Sequence, residues 1–452
     1  MRILLIQPDS PAEIIGWGDL GAIAEPLALE YLSAGAQLEG HEAKLLDLRL
    51  YPGTLLQEIK AFKPDVAAVT GYSMHVLRNL EICRQIKNLI PNCYTLAGGH
   101  HATLLPADFF EPEIDFVVTG EGVTPFRTIL RLIEKGAKSI SVPAVWTRDP
   151  NNKFHFGGEA PPFEIDNLVF PNRKITANDR NEYYIDWMRP IALMRNTVGC
   201  PYRCSFCSLW KIMDGRYYKR ELSQVIEELA AIQEDFVFFV DDEAFVDNNR
   251  MFKLAAAIKD AGIKKKYFTY CRIDTLIRSR KLMEEWHEIG LERLFIGIES
   301  ITDEELLDYN KRLRVAQVEE GLRAAREIGI KVFAGFIVHP NYTERSFKRL
   351  VNFIEHNKVD YPSFTIWTPL PGTDALKSFD EVIERQPNGR PNWELFDLQH
   401  PVTKTRLPRE KFMREYHKLH KVFAPQYAEH RDLNRIIENR KRRSQHEQYQ
   451  PW

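Results

Sequence analysis

The chain has 452 residues, of which 44% are apolar and 11% aromatic, so two or three domains with substantial cores are expected. Its 61 Lys and Arg residues nearly balance 63 Asp and Glu residues, which argues against nucleic acid or an anionic membrane as the main partner and favours a small molecule. The six cysteines are too few for a disulfide framework, and no apolar run approaches the ~20 residues of a membrane span. We therefore expect a cytoplasmic protein in a reducing compartment.

The first 145 residues alternate short apolar runs with amphipathic helical patterns, which predicts a doubly wound parallel α/β sheet. Ligands of such sheets bind beyond the carboxyl ends of the strands. The loops at that edge are TGYSMH (70–75), AGGHHATLLP (97–106) and VTGEGVTP (118–125), which are rich in Gly, His, Ser and Thr. They predict a polar ligand that fits tightly against the backbone. The predicted strands are 3–6, 43–48, 65–70, 94–97 and 115–118, and the helices include 55–62, 76–89, 103–109 and one opened by Thr124 and Pro125.

Residues 146–190 lose this alternation and are dense in Pro, Asn and Gly, which predicts an interdomain linker. A second alternation of strands and helices follows over 191–380. Its six units predict a partial (β/α)6 barrel rather than a closed eightfold one. The six predicted strands are 192–196, 236–240, 267–270, 293–298, 331–338 and 363–368.

Residues 381–452 are charged, aromatic and helical in pattern, which predicts a mainly helical C-terminal extension. In its helix, predicted over 407–423, Phe412, Tyr416, Leu419 and Phe423 share one stripe. Such a stripe is more often core packing than a lipid or substrate surface. The basic cluster 440–443 is predicted to be a solvated tail.

Three of the six cysteines, Cys200, Cys204 and Cys207, form a C-x3-C-x2-C pattern directly after a predicted strand. Structural zinc would require a fourth ligand, usually from a second pair, and the sequence offers none. An iron–sulfur cluster is the remaining explanation. With three cysteine ligands, one iron stays open to bind a small molecule.

The stretch GCPYRCSFC (199–207) resembles the signature loop of radical SAM enzymes. In that family the open iron of a [4Fe–4S] cluster holds S-adenosylmethionine (SAM) and reduces it to a 5′-deoxyadenosyl radical. The resemblance implies an external electron donor of the flavodoxin or ferredoxin type. It also implies that SAM is contacted by the aromatic residue before the third cysteine and by residues at the ends of three strands. These residues are Phe206, Asp241, Asp242, Glu243, Arg272, Glu299 and Ser300.

The N-terminal domain resembles the cobalamin-binding domain that is fused in front of radical SAM barrels. The resemblance implies that Ser73 lies beside the nucleotide tail of cobalamin and that this tail passes against the backbone of Gly98 and Gly99. The other residues that it assigns to cobalamin are Tyr72, His75, His100, His101, Thr103, Gly120 and Glu121.

The first loop, PDSPAEIIGWG (8–18), lacks the histidine that ligates cobalt in well-known cobalamin domains. The nearest groups for the lower face of cobalt are then Tyr72, Met74 and His75. Flavin is disfavoured because this loop has only Ser10 as a phosphate-binding hydroxyl. A second cluster is disfavoured because only Cys83 and Cys93 are available in this domain.

Together these resemblances imply methylation of an unactivated carbon in a small-molecule, lipid or natural-product substrate. Radical cyclisation or ring rearrangement without methyl transfer uses the same cofactors, and the motifs do not separate it from methylation. A non-catalytic cofactor-binding sensor is a third hypothesis. The intact cysteines and the acidic strand end argue against the sensor.

Overall fold

A computed structural model describes residues 1–9, 22–137, 139–376 and 379–423. The chain divides into two compact units, with the boundary between Tyr183 and Tyr184. Most of the stretch 146–190, predicted as a linker, therefore packs as part of the first unit. The loop 8–18 and the basic tail 440–443 lie wholly or mostly outside the described residues.

The first unit contains a seven-stranded sheet whose first five strands are parallel. The first strand, Arg2–Gln7, lies between the second and the third, so the chain reverses its direction of winding at this point. Ligands of open α/β sheets bind at this kind of switch. In sheet order the strands are Glu42–Asp47, Arg2–Gln7, Val66–Val69, Tyr94–Ala97, Phe116–Val118, Val145–Arg148 and Phe154–Phe156.

Helices connect the parallel strands because apolar residues recur on one face of each and pack on the sheet. Leu29 and Phe126, from two of these helices, join Ile3 and Val66 of the strands in one buried core. Pro106 divides the predicted helix 103–109, since proline lacks the N–H that would continue it. The helices are Leu27–Leu38, Leu55–Phe62, Val76–Leu89, His100–Leu104 and Val123–Glu134, with a short 3-10 helix at Ser73–His75 and another at Pro106–Phe109.

The last two strands of the first sheet, Val145–Arg148 and Phe154–Phe156, pair antiparallel and extend its edge. The sequence predicts these residues as linker because the intervening DPNN (149–152) is typical of a loop. That tetrapeptide is a hairpin turn, in which Asp149 Oδ1 accepts hydrogen bonds from the backbone N–H of Asn151 (2.8 Å) and Lys153 (2.9 Å). The composition of the segment indicates the turn but not the pairing of the two strands beside it.

Residues 172–180 are held to the first unit by buried charge. The carboxylate of Glu25 is paired with Arg173 and Arg180, and the fully buried Glu30 accepts a hydrogen bond from the Thr176 hydroxyl at 2.5 Å. Burial and the neighbouring Glu25 raise the pKa of Glu30 to about 8. This segment is therefore part of the folded unit rather than a free connection.

The second unit is built on a six-stranded, all-parallel sheet whose strands follow one another in chain order. This order confirms the predicted partial (β/α)6 barrel. The strands are Ile191–Met194, Phe236–Phe239, Lys266–Tyr270, Leu291–Glu299, Lys331–Val338 and Tyr361–Ile366. The helices are Leu209–Ile212, Leu222–Ala231, Asn248–Asp260, Ile273–Arg278, Arg280–Glu288, Asp303–Asp308, Val315–Ile328, Glu344–His356 and Arg409–Phe423.

The C-terminal helix Arg409–Phe423 packs against the last barrel strand. Its stripe residues Phe412, Tyr416, Leu419 and Phe423 are all at most 2% exposed, and the Tyr416 hydroxyl donates to the carbonyl of Phe364 at 2.9 Å. The stripe is core packing, as predicted, and it offers no apolar surface to a lipid. Among the described residues, no helix is both long enough and apolar enough to span a membrane.

Candidate functional site

The three cysteines lie on a loop at the carboxyl edge of the barrel, between a short hairpin (Thr197–Val198 with Tyr218–Lys219) and the helix Leu209–Ile212. Gly199 opens this loop with φ of 93°, a conformation that side chains rarely adopt. A Cβ at this position would lie 2.1 Å from the carbonyl oxygen of Arg216. Glycine is therefore required for the loop to leave the hairpin.

The three thiols lie close enough to influence one another. Burial, with additions from Cys204 and Cys200, raises the pKa of Cys207 to about 12. Burial also raises the pKa of Cys200 to about 11. An iron–sulfur cluster fits such a loop, since it binds thiolates and since each cysteine of a cubane ligates its own iron.

Asp241 and Asp242 follow the second barrel strand and hold the start of the cysteine loop by its backbone. Asp241 accepts from the N–H groups of Asn196 (2.7 Å) and Thr197 (2.9 Å), and Asp242 accepts from the N–H of Gly199 (2.8 Å). Burial raises the pKa of Asp241 to about 6, and these hydrogen bonds oppose the rise. Both carboxylates therefore position the loop.

Glu243 is different from its two neighbours because part of its carboxylate is unsatisfied. The side chain is 2% exposed, and its Oε1 has no hydrogen-bond partner. Burial raises the pKa of Glu243 to about 8, although Arg272 and Lys311 oppose the rise. A buried acceptor without a hydrogen bond destabilises the folded protein. A ligand that donates a hydrogen bond to this oxygen would therefore bind favourably.

Arg272 and Lys311 place two buried positive charges beside the cysteine loop. The Arg272 guanidinium lies 3.9 Å from Cys204 Sγ, and it is 4.0 Å from the centre of the Tyr202 ring. Lys311 Nζ donates to Glu299 Oε1 at 2.9 Å and lies 5.8 Å from the Phe206 ring. Burial lowers the pKa of Lys311, but Glu299 and Cys204 outweigh burial and raise it overall. Both cations can stabilise thiolates at this loop.

Glu299 reaches Lys311 through a strained turn in the barrel strand. Its φ is 69°, and the register with the next strand shifts between Gly297 and Glu299. A Cβ at Gly297 would lie 2.1 Å from Glu299 Oε1, so the glycine makes room for the carboxylate. Ser300 is 1% exposed, and its hydroxyl donates to Glu305, whose backbone N–H donates to the hydroxyl of the N-cap residue Thr302.

The segment 308–312, which we call the clamp loop, was not predicted as part of the site. Tyr309 O accepts from the N–H of Ser205 (3.0 Å), Asn310 Nδ2 donates to Arg203 O (2.7 Å), and Arg272 Nη2 donates to Lys311 O (2.7 Å). Asn310 and Arg312 have φ of 51° and 56°. An Asn before Lys-Arg is a weak signal of such a conformation, and the sequence does not reveal which loop it meets.

In the first unit, two glycines bring the loops at the switch point into contact. A Cβ at Gly99, where φ is 101°, would lie 2.7 Å from the carbonyl oxygen of Gly71. A Cβ at Gly98 would approach nothing closer than Val118 O at 3.8 Å. The two glycines therefore have different roles. Gly99 allows the close contact between the loops, and Gly98 leaves open space at the loop surface.

The predicted histidines of this unit are held in distinct ways. His101 Nδ1 lies 2.9 Å from Ser73 Oγ, and its Nε2 lies 2.9 Å from Asp108 Oδ2. His75 is buried, its Nδ1 accepts from the N–H of Tyr72 at 3.1 Å, and burial lowers its pKa to about 4. Met74 is 2% exposed. Within this unit, His101 and His75 form hydrogen bonds and Met74 is buried.

Tyr72 is 49% exposed and stacks on His100, with ring centres 4.7 Å apart. Of the three side chains considered for the lower face of cobalt, it is the exposed one. Thr103 links two of the ligand loops, because its hydroxyl donates to Gly99 O at 2.9 Å and accepts from the N–H of Gly120 at 3.0 Å. Glu121 accepts from the N–H of Thr124 at 3.1 Å, in the first turn of the helix Val123–Glu134, whose N-cap is Gly122 rather than the predicted Thr124.

Two family models match the chain, one in each unit. The Radical SAM superfamily matches residues 195–354, and the B12 binding domain matches residues 15–130. The radical SAM match implies SAM and a [4Fe–4S] cluster as cofactors, and the B12 match implies cobalamin.

Two curated relatives align with most of the chain. Hopanoid C-3 methylase from Methylococcus capsulatus is 29% identical over 425 residues, which cover 91% of this chain and 79% of that protein. Anaerobic magnesium-protoporphyrin IX monomethyl ester cyclase from Rubrivivax gelatinosus is 23% identical over 397 residues, covering 85% of this chain and 71% of that protein.

Two solved structures share the fold. The methyltransferase TsrM from Kitasatospora setae, solved with cobalamin and a [4Fe–4S] cluster, matches with a TM-score of 0.66 at 16% identity and covers 92% of this chain and 85% of that one. OxsB, solved with aqua-cobalamin, matches with a TM-score of 0.63 at 19% identity and covers 78% of this chain. The chain spans about half of OxsB, at 52%. The chain therefore contains a B12-binding domain followed in sequence by a radical SAM domain.

Proposed function

We propose that the chain transfers a methyl group from SAM to an unactivated carbon of a small-molecule or lipid-like substrate, with a [4Fe–4S] cluster and cobalamin as cofactors. The observation that carries the proposal is the cysteine loop with its surroundings. Two buried cations, Arg272 and Lys311, lie near Cys204 of this loop, and the unsatisfied Oε1 of Glu243 lies at the same edge of the barrel. This arrangement supports a cluster at the cysteines and a SAM amino group at Glu243.

The residues of the chain bind and position rather than transfer protons. Cys200, Cys204 and Cys207 would hold the cluster, and Arg272 and Lys311 would balance the negative charge of the thiolates. When bound, the cofactors supply the radical and methyl-transfer chemistry. The protein's contribution is then to align the reacting groups and to keep water away from them.

Methylation is favoured over ring formation by two of the proteins that resemble this chain. Hopanoid C-3 methylase covers more of the chain at higher identity than the protoporphyrin cyclase does, and TsrM is a methyltransferase. The cyclase relative keeps radical cyclisation without methyl transfer as the second candidate. A polycyclic lipid is the substrate class that the hopanoid relative supports.

The test is an anaerobic reconstitution of the full chain with iron, sulfide and cobalamin. SAM carrying a deuterated methyl group is added with titanium(III) citrate and, separately, with a total lipid extract or a polar metabolite extract. We expect 5′-deoxyadenosine, S-adenosylhomocysteine and a labelled methyl group in a lipid.

Each alternative has its own outcome in this assay. Deoxyadenosine without S-adenosylhomocysteine in any extract would replace methylation by the cyclisation candidate. Labelled products in the polar extract alone would replace the lipid by a polar substrate. If absorbance shows that both cofactors are bound and yet neither product forms in any extract, the proposed function is overturned.

A further inference from the structure

A short turn lies along the last strand of the barrel at the strand's carboxyl end. The carbonyl oxygen of Leu398 accepts from the N–H of Ile366 at 2.6 Å, where the strand Tyr361–Ile366 ends. That strand is at one edge of the six-stranded sheet, so the segment 396–400 borders the open side of the partial barrel. The cysteine loop lies at the same, carboxyl edge of the barrel. Barrels of parallel strands bind their substrates at this edge.

This turn carries a hydrogen-bonded pair formed by Asp397 and His400. Asp397 is 1% exposed, and its Oδ1 accepts from the backbone N–H groups of Gln399 (2.8 Å) and His400 (3.0 Å). Its Oδ2 lies 2.7 Å from Nδ1 of the His400 ring. A carboxylate accepts hydrogen bonds, so Nδ1 is the donor. Leu398 has a φ of 64°, a conformation that is uncommon for a side chain of this size, and the turn brings the two side chains together.

His400 is the group that compensates the buried charge of Asp397. In the described part of the chain, no Lys or Arg lies within ion-pair distance of this carboxylate. The hydrogen bond to Asp397 raises the pKa of His400 above its ordinary value of 6.5. The carboxylate therefore fixes both the orientation and the tautomer of the ring, and it leaves Nε2 for another partner.

The Nε2 atom of His400 is accessible to a ligand. The side chain is 42% exposed, and within the ranges that the structure describes no group is hydrogen-bonded to Nε2. Trp367, which directly follows Ile366, is only partly buried, and its ring centre lies 5.3 Å from that of His339. An oriented polar atom and a partly exposed aromatic ring are therefore both found at the end of the last strand.

We propose that Nε2 of His400 binds a hydroxyl group of the substrate. This inference rests on the proposed function, because the hydroxyl belongs to the small-molecule or lipid-like substrate that is modified. A hydroxyl suits the pair because it can donate to the neutral imidazole and accept from the protonated one, whereas a carboxylate only accepts. His400 is a substrate-binding residue in this proposal, and it takes no part in forming the radical.

A second His–Asp pair in the chain supplies the matched control. His155 Nε2 lies 2.9 Å from Asp149 Oδ2 in the hairpin of the first unit, and the His155 side chain is 65% exposed. His400→Asn keeps an N–H donor at the position of Nδ1, toward Asp397, and removes Nε2. His155→Gln keeps a donor at the position of Nε2, toward Asp149, and removes Nδ1. Each variant therefore preserves its hydrogen bond to the aspartate and loses only the other ring nitrogen.

The experiment uses the reconstituted full chain with SAM, titanium(III) citrate and whichever of the lipid and polar extracts supports product formation. The extract is used untreated, after acetylation of its hydroxyl groups, and after methyl esterification of its carboxyl groups. The readouts are the maximal extract-dependent rate of 5′-deoxyadenosine formation and the extract concentration that gives half of it. Cofactor absorbance and urea unfolding show whether each variant is intact.

We expect the half-saturating extract concentration to rise about tenfold in His400→Asn, with a maximal rate and cofactor content within about twofold of normal. In His155→Gln all of these values should stay within about twofold of normal. The acetylated extract should be about tenfold poorer for the unmodified protein and equally poor for His400→Asn, whereas esterification should have no effect.

The other outcomes would each overturn a defined statement. Equal half-saturating concentrations in the two variants, or a loss of stability and cofactors in His400→Asn that accounts for its loss of rate, would overturn the role of His400 in binding. Loss of activity on esterification but not on acetylation would replace the hydroxyl by a carboxylate. If the unmodified protein holds both cofactors and forms no 5′-deoxyadenosine, the proposed function is overturned instead.

Discussion

At the scale of single residues, Glu243 differs from the other acids after the second barrel strand because its buried Oε1 has no hydrogen-bond partner among the described residues. Asp241 and Asp242 follow the same strand as Glu243, yet their carboxylates are used by backbone N–H groups of the cysteine loop. The VDDE sequence presents three equivalent candidates, and only the hydrogen bonds distinguish them. Glu243 is therefore the acid that we expect to meet a ligand.

The raised pKa of Glu243 predicts how the cofactor-free protein responds to pH. Its folded-state pKa of about 8 lies above the ordinary value of 4.5, so the folded protein binds the extra proton between these values. The resulting stability is present at low pH and is lost as pH rises through about 8. We expect Glu243→Gln to be more stable than the unmodified protein by roughly 2–4 kcal/mol above that pH, with the difference vanishing near pH 4. Urea unfolding at several pH values measures it, and a pH-independent difference would contradict it.

Gly199 gives a second prediction at this scale. An alanine there meets Arg216 O and must also hold a φ of 93°, so Gly199→Ala should cost at least about 2 kcal/mol and reduce iron incorporation. The control is Gly262→Ala, since Gly262 has φ of 66° but nothing within 4 Å of its Cβ position. Its cost should be about 1 kcal/mol with normal iron content. Equal effects of the two changes on iron would refute the role of Gly199.

At the scale of elements, the clamp loop 308–312 shows how a short connection positions a distant one. It meets the cysteine loop through main-chain carbonyls and through Asn310, and it carries Lys311 to Glu299. Such a contact depends on the path of the backbone, and the types of side chain in the sequence therefore give little indication of it.

The Lys311–Glu299 pair can be tested by a double-mutant cycle. Lys311→Met leaves Glu299 charged in a largely buried position, so we expect a loss of about 3–5 kcal/mol. Glu299→Gln added to that variant removes the unpaired charge and should restore most of the loss. Urea unfolding of the four proteins gives the coupling energy, and additive losses would show that the two side chains act independently.

The glycine pair of the first unit supplies the matching test for cobalamin. Gly99→Ala should destabilise the fold, because its Cβ meets Gly71 O. Gly98→Ala has room in the fold, so we expect normal stability but weaker cobalamin binding, by about tenfold, if a ligand passes against this backbone. Thermal unfolding and cobalamin absorbance separate the two effects. Unchanged binding in Gly98→Ala would place the ligand elsewhere.

At the scale of the whole molecule, each of the two units contains one of the two matched domains. Cys204→Ala should therefore abolish the full cluster and SAM cleavage while cobalamin uptake stays within about twofold of normal, since its contacts lie in the second unit. Iron and cobalt content with absorbance spectra measure both. A full cluster with SAM cleavage in this variant would contradict the assignment of the three cysteine ligands.

Much of this architecture is predictable from sequence, and the reasons are physical. Buried parallel strands are short apolar runs, so runs such as 236–240 and 331–338 are visible, and the C-x3-C-x2-C pattern is specific because cysteine is rare here. The strands Val145–Arg148 and Phe154–Phe156 are partly exposed and lie beside turn residues, so they resemble loop. Lys311 was missed because its partners are set by positive φ angles and by loops distant in sequence.

The way the cysteine loop is held has a consequence for which of its positions tolerate substitution. The loop is held by hydrogen bonds to backbone groups of Gly199, Arg203, Cys204 and Ser205. These four bonds do not depend on the side chains at the bonded positions of the loop. A substitution between the cysteines that keeps the backbone path therefore keeps these four hydrogen bonds. The solvent-exposed Arg203 is the position where the side chain can be exchanged with least change to the contacts inside the loop, since Tyr202 and Phe206 pack against Arg272 and Tyr309.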